Sequence, residues 1–99
     1  MTHGLFTVFR THPGASEQLT DLLLHASRAM SADADCLQYQ VGTTSDDDEV
    51  CVAELWTDEA ARLASLRTDA VRDLITRAGP LISTVASQTS YRVHGSDQR

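Results

Sequence analysis

Twice in this chain a stretch of period two runs into a stretch of helical period, and that repeated change restricts the fold more than any other feature. In "VCVAELW", Val50, Val52, Glu54 and Trp56 share one face and Cys51, Ala53 and Leu55 the other, the pattern of a β-strand. Directly after it Ala61, Leu63 and Leu66 take up helical spacing, with Thr57 or Asp58 available as the cap. The earlier instance begins with "LFTVFR", Leu5–Arg10, rich in β-branched and aromatic residues. Leu5, Thr7 and Phe9 lie on one face and Phe6, Val8 and Arg10 on the other. Apolar residues on both faces predict a central strand. Pro13-Gly14 breaks it. Leu19, Leu22, Leu23, Ala26 and Met30 then mark an amphipathic helix from a cap at Ser16 to about Ala32, with His25 at the margin of the stripe, read as surface.

Between the two instances "CLQYQVGTT" alternates from Cys36 to about Thr44, with Leu37, Tyr39 and Val41 on one face. The acidic run Asp46–Glu49 reads as the solvated tip of the hairpin that joins it to Val50–Trp56. Asp69 is read as a second cap, for a helix carrying Val71, Leu74, Ile75 and Ala78 that Gly79-Pro80 closes. "LISTVA" is expected to form one more helical turn, and "SQTSYRV" the last strand. The order strand, helix, strand, strand, helical hairpin, strand predicts an α+β fold, ferredoxin-like βαββαβ. Its sheet has four antiparallel strands with helices on one face. It is read as one domain over residues 1–95, with 96–99 a flexible tail. One layer of helices leaves the face of Phe6, Val8, Cys51, Ala53 and Leu55 bare, and a second copy of the sheet is the simplest cover; a homodimer is expected.

Composition then excludes whole classes of function. A chain of 99 residues holds one core, and a net charge of −6 repels phosphate backbones, so no nucleic-acid partner is expected. No apolar run approaches the length of a membrane span, and the start "MTHGLF" lacks the layout of a signal peptide, so a cytoplasmic protein is expected. Cys36 and Cys51 match no metal motif and lie too far apart along the proposed hairpin to bridge; both are read as small buried residues. The acidic run lacks the spaced ligands and glycine of a calcium loop, and no metal is assigned to it.

The segments "HPGASEQLTDLL", "DADCLQYQV", "VCVAELWTDEAARLASL" and "DAVRDLITRAGPLI", in that order, resemble the antibiotic biosynthesis monooxygenase (ABM) family from about Leu5 to Val93. The landmarks are Pro13-Gly14, Cys36-Leu37-x-Tyr39 and Glu54-x-Trp56. The resemblance implies a dimeric α+β barrel that oxidises a quinol or an aromatic polyketide-like phenol with molecular oxygen, with no metal, flavin or other cofactor. A deprotonated electron-rich phenol can itself reduce oxygen. The protein then need only bind it dry, stabilise the anion and admit oxygen.

Carried over residue by residue, Trp56 matches the family's tryptophan and Glu54 its acidic partner. Nine residues on, where the family commonly has a histidine, stands Ser65; a second histidine five further on is here Ala70. The asparagine and tyrosine of the polyketide-oxidising members fall at Val52 and Arg62. The asparagine, second tryptophan and histidine of the haem-degrading branch fall at Thr7, Ser65 and Ile75, which disfavours haem chemistry. The expected catalytic residues are Glu54, as general base with a burial-raised pKa, and Arg62, to steady an anion. The expected substrate-binding residues are Trp56, Thr7, Phe9, Tyr39 and Ser65. His12, His25, His94 and Tyr91 are further titratable candidates. Two other functions fit the same frame: a non-catalytic dimeric binder of small molecules, favoured by the lost histidine, and a cofactor-free cyclase or isomerase.

Overall fold

The computed structural model describes residues 2–95. The proposed tail, 96–99, lies outside the described residues. The elements are β1 (Thr2–Thr11), α1 (Ser16–Met30), β2 (Cys36–Thr43), β3 (Glu49–Trp56), α2 (Glu59–Ser65), α3 (Asp69–Ala78), a single 3-10 turn at Gly79–Leu81, and β4 (Ile82–Val93). The strands form one antiparallel sheet in the order β2-β3-β1-β4, the ferredoxin-like arrangement, with β1 and β3 central. No helix among the described residues is long and apolar enough to cross a membrane.

Strand parity decides what faces the helices. Leu5, Thr7, Val50, Val52 and Trp56 are all buried. Leu19 and Leu23 of α1 and Ala78 of α3 close over Val50 and Val52, while Met30 and Val71 pack on Trp56. The other face carries Phe6, 40% exposed, and Tyr91, 43% exposed, beside half-buried Val8, Cys51, Ala53 and Leu55. Tyr91 lies against Gly4 so closely that an added Cβ would meet its ring carbons at 2.3 Å. At the β1–α1 corner Gly14 has φ +80°, the left-handed conformation that a side chain disfavours.

The hairpin closes in the expected register. Gly42 pairs with Cys51 and Cys36 with Trp56, and the two cysteines are free and half-buried rather than buried. The acidic tip is partly neutralised: Arg10 of β1 pairs with Glu49 at 3.0 Å and Asp46 at 3.5 Å.

Several local readings need correction. β1 starts three residues before Leu5, because Thr2, His3 and Gly4 pair with Val93, Arg92 and Tyr91. Ser16 is the first residue of α1 rather than its cap; Ala15 precedes the helix and offers no side-chain acceptor. α1 ends at Met30. Thr68, not Asp69, caps α3, its hydroxyl accepting from the Val71 N–H. Asp58 does cap α2, accepting from the Ala61 N–H at 2.7 Å, while Thr57 donates to Asp35. In "LISTVA" only Leu81 is helical, closing the 3-10 turn; Ile82 onward is strand. Ile82, Thr84 and Val85 pair with Thr11, Arg10 and Phe9, and ladder pairing of these β-branched residues outweighs any local turn preference.

Candidate active site

On the helix-facing side of the sheet, Glu54 is the one ionisable member of the row Val50, Val52, Glu54, Trp56 on β3. Across the sheet its neighbours are Leu5 on β1 and Tyr39 on β2. The next row down sets Thr7 of β1 between Val52 and Gln88 of β4, and the Gln88 Nε2–H donates to Thr7 Oγ1 at 3.2 Å. These rows form the floor of a cavity of about 370 Å³ under α2, α3 and the 3-10 turn. Its floor and walls are Leu5, Thr7, Phe9, Tyr39, Glu54 and Gln88 from the sheet, with Leu23 and Met30 from α1. Arg62, Ser65 and Leu66, then Val71, Leu74, Ile75 and Ala78, form its roof. The volume suits a small aromatic molecule, and most of the lining is apolar.

The polar groups converge at one end. Trp56 Nε1–H donates to Glu54 Oε1 at 3.1 Å, fixing the carboxylate against the sheet. Burial pushes the Glu54 carboxyl above the usual carboxylate range; the indole hydrogen bond and the nearby charges of Arg62 and His3 pull back against it. Burial also raises the Tyr39 phenol, reinforced by Glu54 and Cys36, so Tyr39 stays a protonated donor through neutral pH. Cys36 is raised as well, chiefly by burial, which keeps it from becoming a thiolate. Among the described residues no carboxylate lies within ion-pairing distance of Arg62. Its charge is therefore available to a bound anion.

Six of the seven residues singled out for the site line this one cavity: Glu54, Arg62, Thr7, Phe9, Tyr39 and Ser65. Trp56 does not. It is fully buried behind Glu54, packed on Met30 and Val71, so its part is to hold the carboxylate rather than to form a wall against a ligand. Ser65 is buried, and its hydroxyl donates back to the Arg62 carbonyl at 2.6 Å, so it closes its own helix turn. His12, His25 and His94 are exposed and away from the cavity, and Tyr91 lies on the opposite sheet face.

Two polar residues were missed. Gln88 lies within the expected last strand "SQTSYRV", on the row of Ser90 and Arg92, to which no site role is given from the sequence. His3 stands on β1 two residues before Leu5 and therefore on the same face. Parity extended by one step would have found it. With Leu5, Arg62, Gln88, Glu59 and Ser90, His3 lines a smaller polar hollow of about 150 Å³. Leu5, Arg62 and Gln88 border both spaces, making the hollow a vestibule to the apolar cavity.

The sequence model described as antibiotic biosynthesis monooxygenase matches residues 3–77. No curated protein matches the chain by sequence. Among solved structures, a Chloroflexus aurantiacus J-10-fl protein provisionally named an antibiotic biosynthesis monooxygenase is 26% identical, with a TM-score of 0.90 over 99% of this chain and 98% of that one. PA3566 from Pseudomonas aeruginosa is 24% identical, with a TM-score of 0.82 over 93% of this chain and 94% of that one. Rv0793 from Mycobacterium tuberculosis is 16% identical, with a TM-score of 0.86 over 99% of this chain and all of that one (100%). The last two speak for the fold alone.

Proposed function

The chain belongs to the antibiotic biosynthesis monooxygenase family, and on that premise we propose that it oxidises a quinol or aromatic polyketide-like phenol with molecular oxygen, without a cofactor. The observation that carries this reading is the placement of Glu54. A carboxylate with a burial-raised pKa opens onto an apolar cavity of aromatic size, flanked by a phenol donor, Tyr39, and a guanidinium, Arg62.

Each residue then has a task. The ring lies between the sheet floor, with Phe9 and Leu5, and the roof of α2 and α3. Glu54 removes a proton from the substrate as general base; its raised pKa brings it nearer to that of an acidic phenol. Arg62 and the Tyr39 hydroxyl stabilise the resulting anion, whose charge is worth more to them in a water-poor cavity. The electron-rich anion gives one electron to oxygen, and the radical pair combines to a carbon-bound peroxide. Loss of water from the peroxide leaves a new carbonyl. Two substrate hydrogens and one oxygen atom leave as water, the other oxygen atom stays on carbon, and all the electrons come from the substrate.

We propose further that the working unit is a cytosolic homodimer, with the Phe6–Tyr91 face of one sheet on that of the other. Family likeness and the exposed aromatics of that face support this.

The test is aerobic incubation with a panel of quinols and anthrone-type phenols while dissolved oxygen is followed. Uptake above the spontaneous rate with at least one compound is expected; none across the panel sinks the proposal. A second reading, a non-catalytic small-molecule binder, is favoured by one observation. Ser65, where the family commonly has histidine, spends its hydroxyl on its own helix. Thermal stabilisation by panel compounds without oxygen uptake is that reading's signature.

A further inference from the structure

The oxidation written above leaves a proton-handling problem for a single carboxylate. Two protons leave the substrate in sequence, and the first must reach the peroxide anion before the second is taken. The family's usual second group, a helix histidine, is absent at Ser65. A histidine stands beside this site on another element. His3 sits on β1 directly across from Trp56, while Leu5, two residues on, sits across from Glu54. His3 and Glu54 are therefore diagonal neighbours on one sheet face, roughly 7–8 Å apart at the backbone, within reach of each other directly or through one water. His3 lines the polar vestibule, and Leu5, Arg62 and Gln88 border both that vestibule and the cavity onto which Glu54 opens.

We propose that His3, acting from the first strand through the vestibule, is the second proton-transfer group of this site and works as a pair with Glu54. This rests on the oxidative reading. His3 takes the first proton from Glu54 and delivers it to the peroxide anion, so that the carboxylate is again ionised. Glu54 then takes the second proton, which joins the departing hydroxide as water. No proton is created or lost. The charged groups around His3 are Glu54 on β3, Arg92 opposite it on β4, and Glu59 and Arg62 on α2. The influence of His3 on the Glu54 carboxyl agrees with this proximity. The arrangement also explains how a member lacking the helix histidine can retain proton-transfer chemistry.

The test uses the full chain with any tag kept off the N-terminus. With an aromatic that the wild type oxidises, His3→Gln is expected to lower kcat on the order of 10²-fold with KM little changed, as for a lost acid–base group. Added imidazole should restore part of the rate, and His3→Asn should behave like His3→Gln. An unchanged kcat, or a loss confined to KM, overturns the proposal. A second arm needs no turnover: the Glu54 carboxyl is titrated by carbon NMR in wild type and His3→Gln. Removing a cation that favours the ionised form should move the Glu54 titration to higher pH; superimposable curves overturn the pairing. If wild type consumes no oxygen with any compound, the oxidative reading fails separately, and the titration still decides whether the two residues form a pair.

Discussion

The indole N–H of Trp56 and the carboxylate of Glu54, two residues apart on the same face of β3, are joined by a hydrogen bond of 3.1 Å, with the indole fully buried and the carboxylate at the cavity edge. A strand places residues i and i+2 side by side, so Glu-x-Trp is a local device for fixing an acid against a sheet. The pair links packing to chemistry: the same bond that satisfies the buried indole also limits how far burial can raise the carboxyl.

Trp56→Phe keeps an aromatic in the core but removes the donor and some volume. It should cost about 1–3 kcal/mol from the smaller, unfilled site and the lost hydrogen bond, read as a lower Tm at fixed protein concentration. Its second effect is on titration. With the indole donor gone, the Glu54 carboxyl should rise further, and the pH at which oxidation switches on should move upward with it.

Glu54→Gln separates stability from activity. Folded Glu54 holds its proton above the ordinary value of 4.5, so across the window beginning there the folded state binds more protons than the unfolded one. Wild-type stability therefore falls as pH rises through that window, to a plateau above the folded pKa. The amide variant carries no such dependence, and its carbonyl can still accept from the Trp56 N–H. Denaturant melts at several pH values should show the variant gaining on wild type as pH rises, with the difference levelling off above the window.

Phe6→Asp puts a charge at the centre of the bare sheet face, beside Tyr91. If two copies cover each other there, the desolvation cost of two carboxylates meeting across a symmetric interface splits the dimer. Light scattering should give twice the chain mass for wild type and one chain mass for the variant. A wild-type monomer would remove the homodimer from the account.

Ser65→His restores the commoner family residue at a buried position that faces the cavity. The open volume leaves room for an imidazole, which adds a group titrating near neutrality. Turnover should increase, by up to about 10²-fold, with the gain following protonation of the new imidazole in the pH–rate profile.

Much of this site was legible from parity alone. Alternation puts Leu5, Thr7 and Phe9 on one face of β1 and Glu54 with Val50, Val52 and Trp56 on one face of β3, and the sheet brings both sets to the same side, under the helices. Parity states which side of a sheet a residue is on, but not whether the space above it is filled. Trp56, expected from its row to bind substrate, is instead packed under Met30 and Val71 and fully buried. His3 was lost because "MTHG" has no apolar alternation; its pairing with Arg92 comes from the ladder that Leu5–Thr11 extends, a tertiary effect. Gln88 falls inside the expected strand "SQTSYRV", on the row of Ser90 and Arg92, but only pairing with β1 shows which side of the sheet that row faces, by setting Gln88 opposite Thr7. "LISTVA" has the length of a helical turn, and only pairing with β1 makes its register visible. The caps lie one residue earlier than expected: Thr68 offers the same capping chemistry as Asp69 beside it, whereas α1 begins after Ala15 with no side-chain cap at all, so the capping preference of Ser16 goes unused.

Turnover under labelled oxygen with a panel compound tests most directly whether the cavity beside Glu54 inserts one atom of molecular oxygen into an aromatic guest. The account predicts product carrying a single heavy oxygen atom, one O₂ consumed per product, and a rate that falls on the order of 10²-fold in Glu54→Gln. Product whose added oxygen comes from water, or labelled product formed equally fast with Glu54→Gln or with no protein, would contradict it.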